Sequence, residues 1–453
     1  MMRLTHNRVA ASRLLALGAL LVALMAAFVM LAEGPAHAST TFYVNSTADH
    51  ADANPFDGFC DTGHLVPGTT DTMEAECTLR AAIQQANYTP GADIINFAIP
   101  GSGVRTISPA SLLPTITDTV SINGYSQPGA SPNTLGLGND AVLKIELSGA
   151  NAPSGAVGLR ISASNSTVKG LVVNRWSETG IYISGSGATG NRVTGNYIGT
   201  DASGTQKLGN YYGVWVYGAP NNTIGGTSAA ERNVISDYEG LGVLIQLAAA
   251  GGNRVMGNYI GTDKYGSALG DGATGVVVYM APNSTIGGTQ AGARNVIAGN
   301  EYYGVDISGD DSTTGNRVLS NSIFANGSIG INLGDDGPTA NDLGDGDTGA
   351  NGSQNKPAVS SAKTGGGTTT VRGKLNSAPN RTFVVQFFSN PSGTDEGRVF
   401  IGQRSVTTDG SGNVSFAFSP AQKVGLGRTI TATATSPAGD TSEFSAARTV
   451  VSA

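Results

Sequence analysis

The chain has 453 residues, enough for two or three structural units, and carries a formal net charge of −7. Gly is 65 of 453 residues, about twice average usage, and charged residues are only 13%, which together exclude a solvated disordered chain and a long charged helix. The acidic balance disfavours a nucleic-acid partner and fits a neutral ligand or a cation better.

Residues 1–38 read as an export signal. Arg3, Arg8 and Arg13 form a basic start, Leu14 to Leu31 is an apolar run, and Ala36-His37-Ala38 supplies a small-x-small cleavage pattern. Retention of the run as an anchor is the alternative. The expected location is therefore secreted or at the cell surface, with no membrane span after cleavage. The two cysteines, Cys60 and Cys77, follow the signal. Export favours a disulfide between them over two free thiols.

Residues 39–100 are expected to form an N-terminal cap. Within it TLRAAIQQAN at 78–87 predicts a short helix, with Thr78 as N-cap and Leu79, Ala82, Ile83 and Ala86 on one apolar face.

Residues 101–333 carry an internal repeat. NRVTGNYIGTD at 191–201 returns as NRVMGNYIGTD at 253–263, an offset of 62 residues. The same offset relates GVWVYGAPNNTIGGT at 213–227 to GVVVYMAPNSTIGGT at 275–289. Each unit splits into halves of three short Val/Ile segments bounded by Gly, Asn or Asp, with no helical period. Three strands per coil predict a right-handed parallel β-helix. Alternation turns Ile181 and Ile183, Val214 and Val216, and their equivalents as far as Ile331 and Leu333, into the core. Asn196, Asn233, Asn258, Asn295 and Asn321 fall at equivalent turns and are expected to stack as a structural ladder. Irregular first coils are expected at 104–125, 142–149 and 166–176.

The segment 334–355, GDDGPTANDLGDGDTGANGSQN, is an acidic Gly/Asp/Asn linker. Residues 356–453 change character. Alternating segments such as TTTVRGKL, RTFVVQFF, RVFIGQRSV, NVSFAFS and TITATATS predict an antiparallel, immunoglobulin-like β-sandwich. The fold class is thus all-β: a β-helix with a helical cap and a C-terminal sandwich.

CTLRAAIQQAN at 77–87 resembles the Cys-Ser-Leu-Arg-Glu-Ala (CSLREA) motif of secreted bacterial β-helix proteins, with Thr78 for the usual Ser and Ala81 for the usual Glu. The NYIGTD, NNTIGG and RNVI segments are similar to the pectin-lyase-like repeats of that family. The resemblance covers about residues 42–355; it implies fold and export, and no assigned reaction.

Three candidate sites follow. Asp342, Asp345 and Asp347, with Asn351, alternate with Gly as an oxygen-rich loop that calcium would suit; a solvated linker is the bland alternative. Tyr182, Trp215, Tyr217 and Tyr279 are expected to face outward as a strip fitted to sugar rings, with Tyr197 and Tyr259 outward on another face. Glu301, Asp306, Asp310 and Asp311 form the non-repeated acidic cluster on which an enzyme would depend. The expected function is a non-catalytic extracellular β-helix protein binding polysaccharide or cell-surface glycan, or mediating adhesion; the alternative is a polysaccharide lyase or glycoside hydrolase.

Overall fold

The computed structural model describes residues 38–66, 74–270 and 272–453. The export signal and its cleavage site therefore lie, but for Ala38, outside the described residues. Among those described, no helix is long and apolar enough to cross a membrane.

Short Val/Ile runs closed by Gly and Asn turns cannot pair as hairpins, because each is followed by a corner and not by a reversal. They pair instead with the equivalent run one coil further on. Val193 lies beside Ile224, and Ile224 beside Val255. Three parallel sheets result, of nine, eight and seven strands. The first runs from Thr41–Val44 to Arg317–Leu319, the second from Arg105–Ile107 to Ser322–Phe324, and the third from Leu159–Ile161 to Ile331–Leu333. This is the arrangement of a three-sheeted parallel β-helix. The first sheet begins inside the region read as a cap, with Thr41–Val44 and Asp93–Phe97 pairing in parallel.

The inward columns of the third sheet are as expected. Ile181, Ile183, Val214, Val216, Val243 and Ile245 are fully buried, and the column continues to Leu333. Each such side chain contributes roughly 1.5–3 kcal/mol by leaving water. The Asn ladder is present. Asn233 Nδ2 donates to Asn258 Oδ1 at 2.9 Å, Asn258 Nδ2 to Asn295 Oδ1 at 3.1 Å, and Asn295 Nδ2 to Asn321 Oδ1 at 2.9 Å. Their other amide hydrogens satisfy turn carbonyls, such as Ile224 O by Asn258. A second ladder precedes the first sheet: Asn191 N donates to Asn222 Oδ1, and Asn222 N to Asn253 Oδ1.

One glycine per coil marks the corner where the third sheet begins. At Gly213, Gly242 and Gly275 a Cβ would stand 2.5–2.7 Å from the carbonyl oxygen of the next glycine in the column. No side chain fits between coils there, which is why a Gly opens each of GVWV, GVLI and GVVV.

The predicted helix α1 spans Leu79–Tyr88, and the Thr78 hydroxyl accepts from Ala81 N. Cys60 and Cys77 are disulfide-bonded. A closed loop of this length restricts the unfolded chain by about 3 kcal/mol. Arg80 binds the Asp49 carboxylate through Nε (2.9 Å) and Nη2 (3.0 Å), and Leu112 O through Nη1 (2.8 Å). It thereby ties the cap helix to a loop of the first coils.

The tail contains two strands more than the five expected. Ala358–Gly365 and Arg448–Ser452 are the additions, and they pair with each other in parallel. The seven strands therefore form one mixed sheet, and not the antiparallel, immunoglobulin-like sandwich expected from the sequence. Its terminal strands, Val399–Thr407 and Asn413–Phe418, come back together, and Arg404 Nη1 reaches Ala417 O at 2.7 Å. The sheet is nearly closed, like a barrel, around Phe383, Val385, Phe387, Phe416 and Ile430.

The tail covers the open end of the solenoid. Ile323 and Gly397 exchange backbone hydrogen bonds at 3.0 Å, Ser320 N donates to Gln386 Oε1, and Asn326 Nδ2 donates to Glu396 Oε1 at 2.7 Å. These contacts occupy strand edges that would otherwise invite association. The acidic segment 334–355 runs alongside both parts. Thr339 bonds Glu443, which also pairs with Lys356 at 2.6 Å, and Asn351 extends the second ladder by accepting from Asn316 N.

Candidate functional site

The core and the Asn ladders repeat from coil to coil, as structural features should. The outer face of the third sheet does not. Register places Arg160, Tyr182, Trp215, Leu244, Val277, Asp306 and Asn332 in one outward column, one residue per coil. The parallel column reads Ser184, Tyr217, Gln246, Tyr279 and Ser308. The side chains pass from cation through aromatic and aliphatic to carboxyl along the axis.

Three of the four expected aromatics form a continuous patch. The Tyr182 and Trp215 ring centroids are 4.9 Å apart, and Trp215 and Tyr217 are 5.6 Å apart. Tyr212 joins them 5.4 Å from Trp215; it lies at the head of its strand, outside the alternation used to select the others. Tyr217 is 37% exposed, whereas Tyr182, Tyr212 and Trp215 are half-buried against one another. The Trp215 indole N–H is buried and finds no acceptor among the described residues. Tyr279, 39% exposed, stands apart, separated from Tyr217 by Gln246.

Two grooves flank the patch on the same face. One, of about 640 Å³, is lined by Thr115, Thr117, Arg160, Ser162, Tyr182 and Tyr217 among others. The other, of about 670 Å³, includes Leu244, Gln246, Val277, Tyr279, Asp306 and Asp310.

Asp306 is only 3% exposed. Its carboxylate accepts from Ser308 Oγ at 2.6 Å and Asn332 Nδ2 at 2.8 Å. Burial pushes its pKa up to about 6, the nearby Asp335 charge pushes the same way, and the two hydrogen bonds oppose them. Asp310 sits at the exposed rim, where the Ser312 hydroxyl and N–H hold its carboxyl below the usual range. The acidic cluster is therefore redrawn. Asp311 and Glu301 are exposed and do not line this groove, and Asp335 from the following segment takes their place.

Tyr197 and Tyr259 are a correction. They point away from the solenoid core but are buried, because residues 133–143 cross the outside of the second sheet and cover them. Tyr197 donates to Asn139 Oδ1 at 3.1 Å, and Gly138 N donates to the Tyr259 hydroxyl at 2.8 Å. Arg232 fixes the covering loop through Leu135 O, Gly136 O and Gly138 O.

Carboxylate oxygens of Asp342, Asp345 and Asp347 lie within 4.8 Å of one another. Burial, and then the charges of its two neighbours, raise the Asp345 carboxyl; burial and Asp342 raise that of Asp347. Asp345 is already engaged by Ser377 Oγ, Gln354 Nε2 and Asn355 N. Asn351 does not join the group: it is buried, and its amide donates to Asn316 O and Thr441 O. The three carboxylates fit an oxygen-preferring divalent cation in chemistry; the fourth expected ligand does not.

No family model and no curated protein matches the chain. Among solved structures, it is similar to tailspike protein gp49 from the Acinetobacter baumannii bacteriophage Fri1, a capsular polysaccharide depolymerase. That similarity has 9% identity and covers 78% of this chain and 68% of the other, at a TM-score of 0.18, too low to carry an argument about fold or activity. What the fold and the face define is a parallel β-solenoid with an aromatic patch between two grooves along one sheet.

Proposed function

We propose that the protein is an exported, right-handed β-helix that binds a polysaccharide chain lengthwise along the outer face of its third sheet. The observation that supports this reading most is the patch of Tyr182, Tyr212, Trp215 and Tyr217, set between two grooves on the outer face of the third sheet. Aromatic faces suit the apolar side of sugar rings, and successive strands are about 4.8 Å apart, close to the length of a sugar unit. The half-buried Trp215 would act as the anchor, and the rim hydroxyls and Gln246 would orient the chain. The test is affinity electrophoresis against a panel of immobilised polysaccharides. Trp215→Ala should abolish the retardation seen with the wild type; retention of wild-type mobility by W215A refutes the reading.

A second reading, hydrolysis, has one observation in its favour: Asp306 is a carboxyl with a raised pKa on a groove that also holds Asp310. A general acid needs a proton near its working pH, and the partner carboxylate would serve as base or nucleophile. If turnover occurs, new reducing ends appear with the wild type and vanish in Asp306→Asn while binding persists. Binding without reducing ends or unsaturated products supports the non-catalytic reading.

A further inference from the structure

We propose that the groove at the Arg160 end is a subsite for a sugar unit bearing a single negative charge, so that the ligand is an acidic heteropolysaccharide bound in one direction. This rests on the glycan-binding reading above. Arg160 occurs once in its column; the equivalent positions of later coils are Tyr182, Trp215, Leu244, Val277, Asp306 and Asn332. Its guanidinium is exposed and lies over the Tyr182 ring, 5.2 Å from the centroid. It makes no ion pair among the described residues, in contrast to Arg80, Arg175 and Arg192. Glu178 influences the Tyr182 hydroxyl but does not bridge to Arg160.

A guanidinium fork with no carboxylate partner at the edge of an aromatic patch is arranged for a ring that carries a carboxylate or sulfate: the anion takes the fork and the sugar ring lies against the exposed Tyr217 of the same groove. Thr115, Thr117, Ser162 and Ser184 add hydroxyls around the same groove, as sugar hydroxyls require. Among the described residues no second basic side chain lines this groove, so a single charge per unit fits and a phosphate-dense polymer does not. The opposite groove carries Asp306, Asp310 and Asp335. Like charge repels an anionic unit there, and a neutral or amino sugar is favoured. The six strand steps from Arg160 to Asn332 span about 29 Å, so the two ends of the face read different units of one chain.

The experiment uses the full exported chain and three oligosaccharide probes: hyaluronan, carboxyl-reduced hyaluronan, and keratan sulfate, which carries sulfate without carboxylate. Isothermal titration should show tighter binding of at least one acidic probe than of the reduced one. Arg160→Gln should weaken the acidic probe by at least about tenfold and leave the reduced probe unchanged, while Arg160→Lys keeps charge, loses the fork and falls between. Hyaluronan preference assigns carboxylate, and keratan sulfate preference assigns sulfate ester. Equal affinity for acidic and reduced probes, no binding of either acidic probe, or an equal loss with all probes in R160Q overturns the proposal. Should W215A bind every probe as the wild type does, the aromatic reading fails instead, which separates the two.

Discussion

Glu396 links the tail to the last coil and makes that junction sensitive to pH. It is 7% exposed and accepts from Asn326 Nδ2 at 2.7 Å. Burial raises its pKa from an ordinary 4.5 to about 7, with Asp395 adding to the rise and the bonds from Asn326 and Ala325 opposing it. A carboxyl raised on folding favours the native state only while protonated. Its contribution is complete below pH 4.5 and is lost as pH rises to 7, because the unfolded chain releases its proton first. At 1.36 kcal/mol per pH unit the interval amounts to about 3 kcal/mol. Glu396→Gln keeps the acceptor for Asn326 and removes the charge. The difference between wild type and variant isolates this group from Asp306, which titrates near 6 in both. Amide hydrogen exchange at Ile323 and Gly397, which hold each other across the junction, reports its opening. At pH 4 the two proteins should be protected alike. At pH 8 exchange in E396Q should be slower by up to about 100-fold. Protection in the variant no greater than in the wild type at pH 8 would refute the reasoning.

Gly242→Ala should lower stability by about 2–3 kcal/mol in urea unfolding, since its Cβ would meet Gly275 O at 2.5 Å and backbone must move. Asn258→Ala removes one rung and strands Ile224 O, with an expected loss of about 2–4 kcal/mol; Asn258→Asp should do no better, because it cannot donate to Asn295 Oδ1. For the Asp342–Asp345–Asp347 group, calcium binding predicts a saturable heat at millimolar calcium that Asp347→Asn diminishes; absence of heat in the wild type retires calcium there.

The solenoid was legible because its determinants are local and periodic. The aliphatic pairs from Ile181 to Leu333 and the ladder through Asn258 each recur at a fixed place in the coil, so stacking follows from one copy. The cap helix was legible from Thr78 and one apolar face. Features depending on a single distant partner were not. Burial of Tyr197 and Tyr259 needs a loop from more than fifty residues upstream, and nothing in NYIG announces it. Asp335 enters the groove only because the chain turns back, with positive φ, after the last strand. The parallel strands Ala358–Gly365 and Arg448–Ser452 are sequence-distant within the tail, and each looks like an ordinary terminus until paired. Two further periodic signals lie in the sequence: the Asn at 191, 222 and 253 ahead of the first-sheet strands, and the Gly at the start of each third-sheet strand.

The corner glycines and Asn rungs hold each coil to its neighbours without regard to what the outer face displays. Duplication of one 62-residue unit would therefore insert two coils between Arg160 and Asp306 and separate these ends by about 10 Å more, leaving each rung a partner. On the proposed glycan-binding reading, the footprint of such a protein can grow only in whole increments, and related chains of different length would discriminate ligands by how far apart their charged units fall.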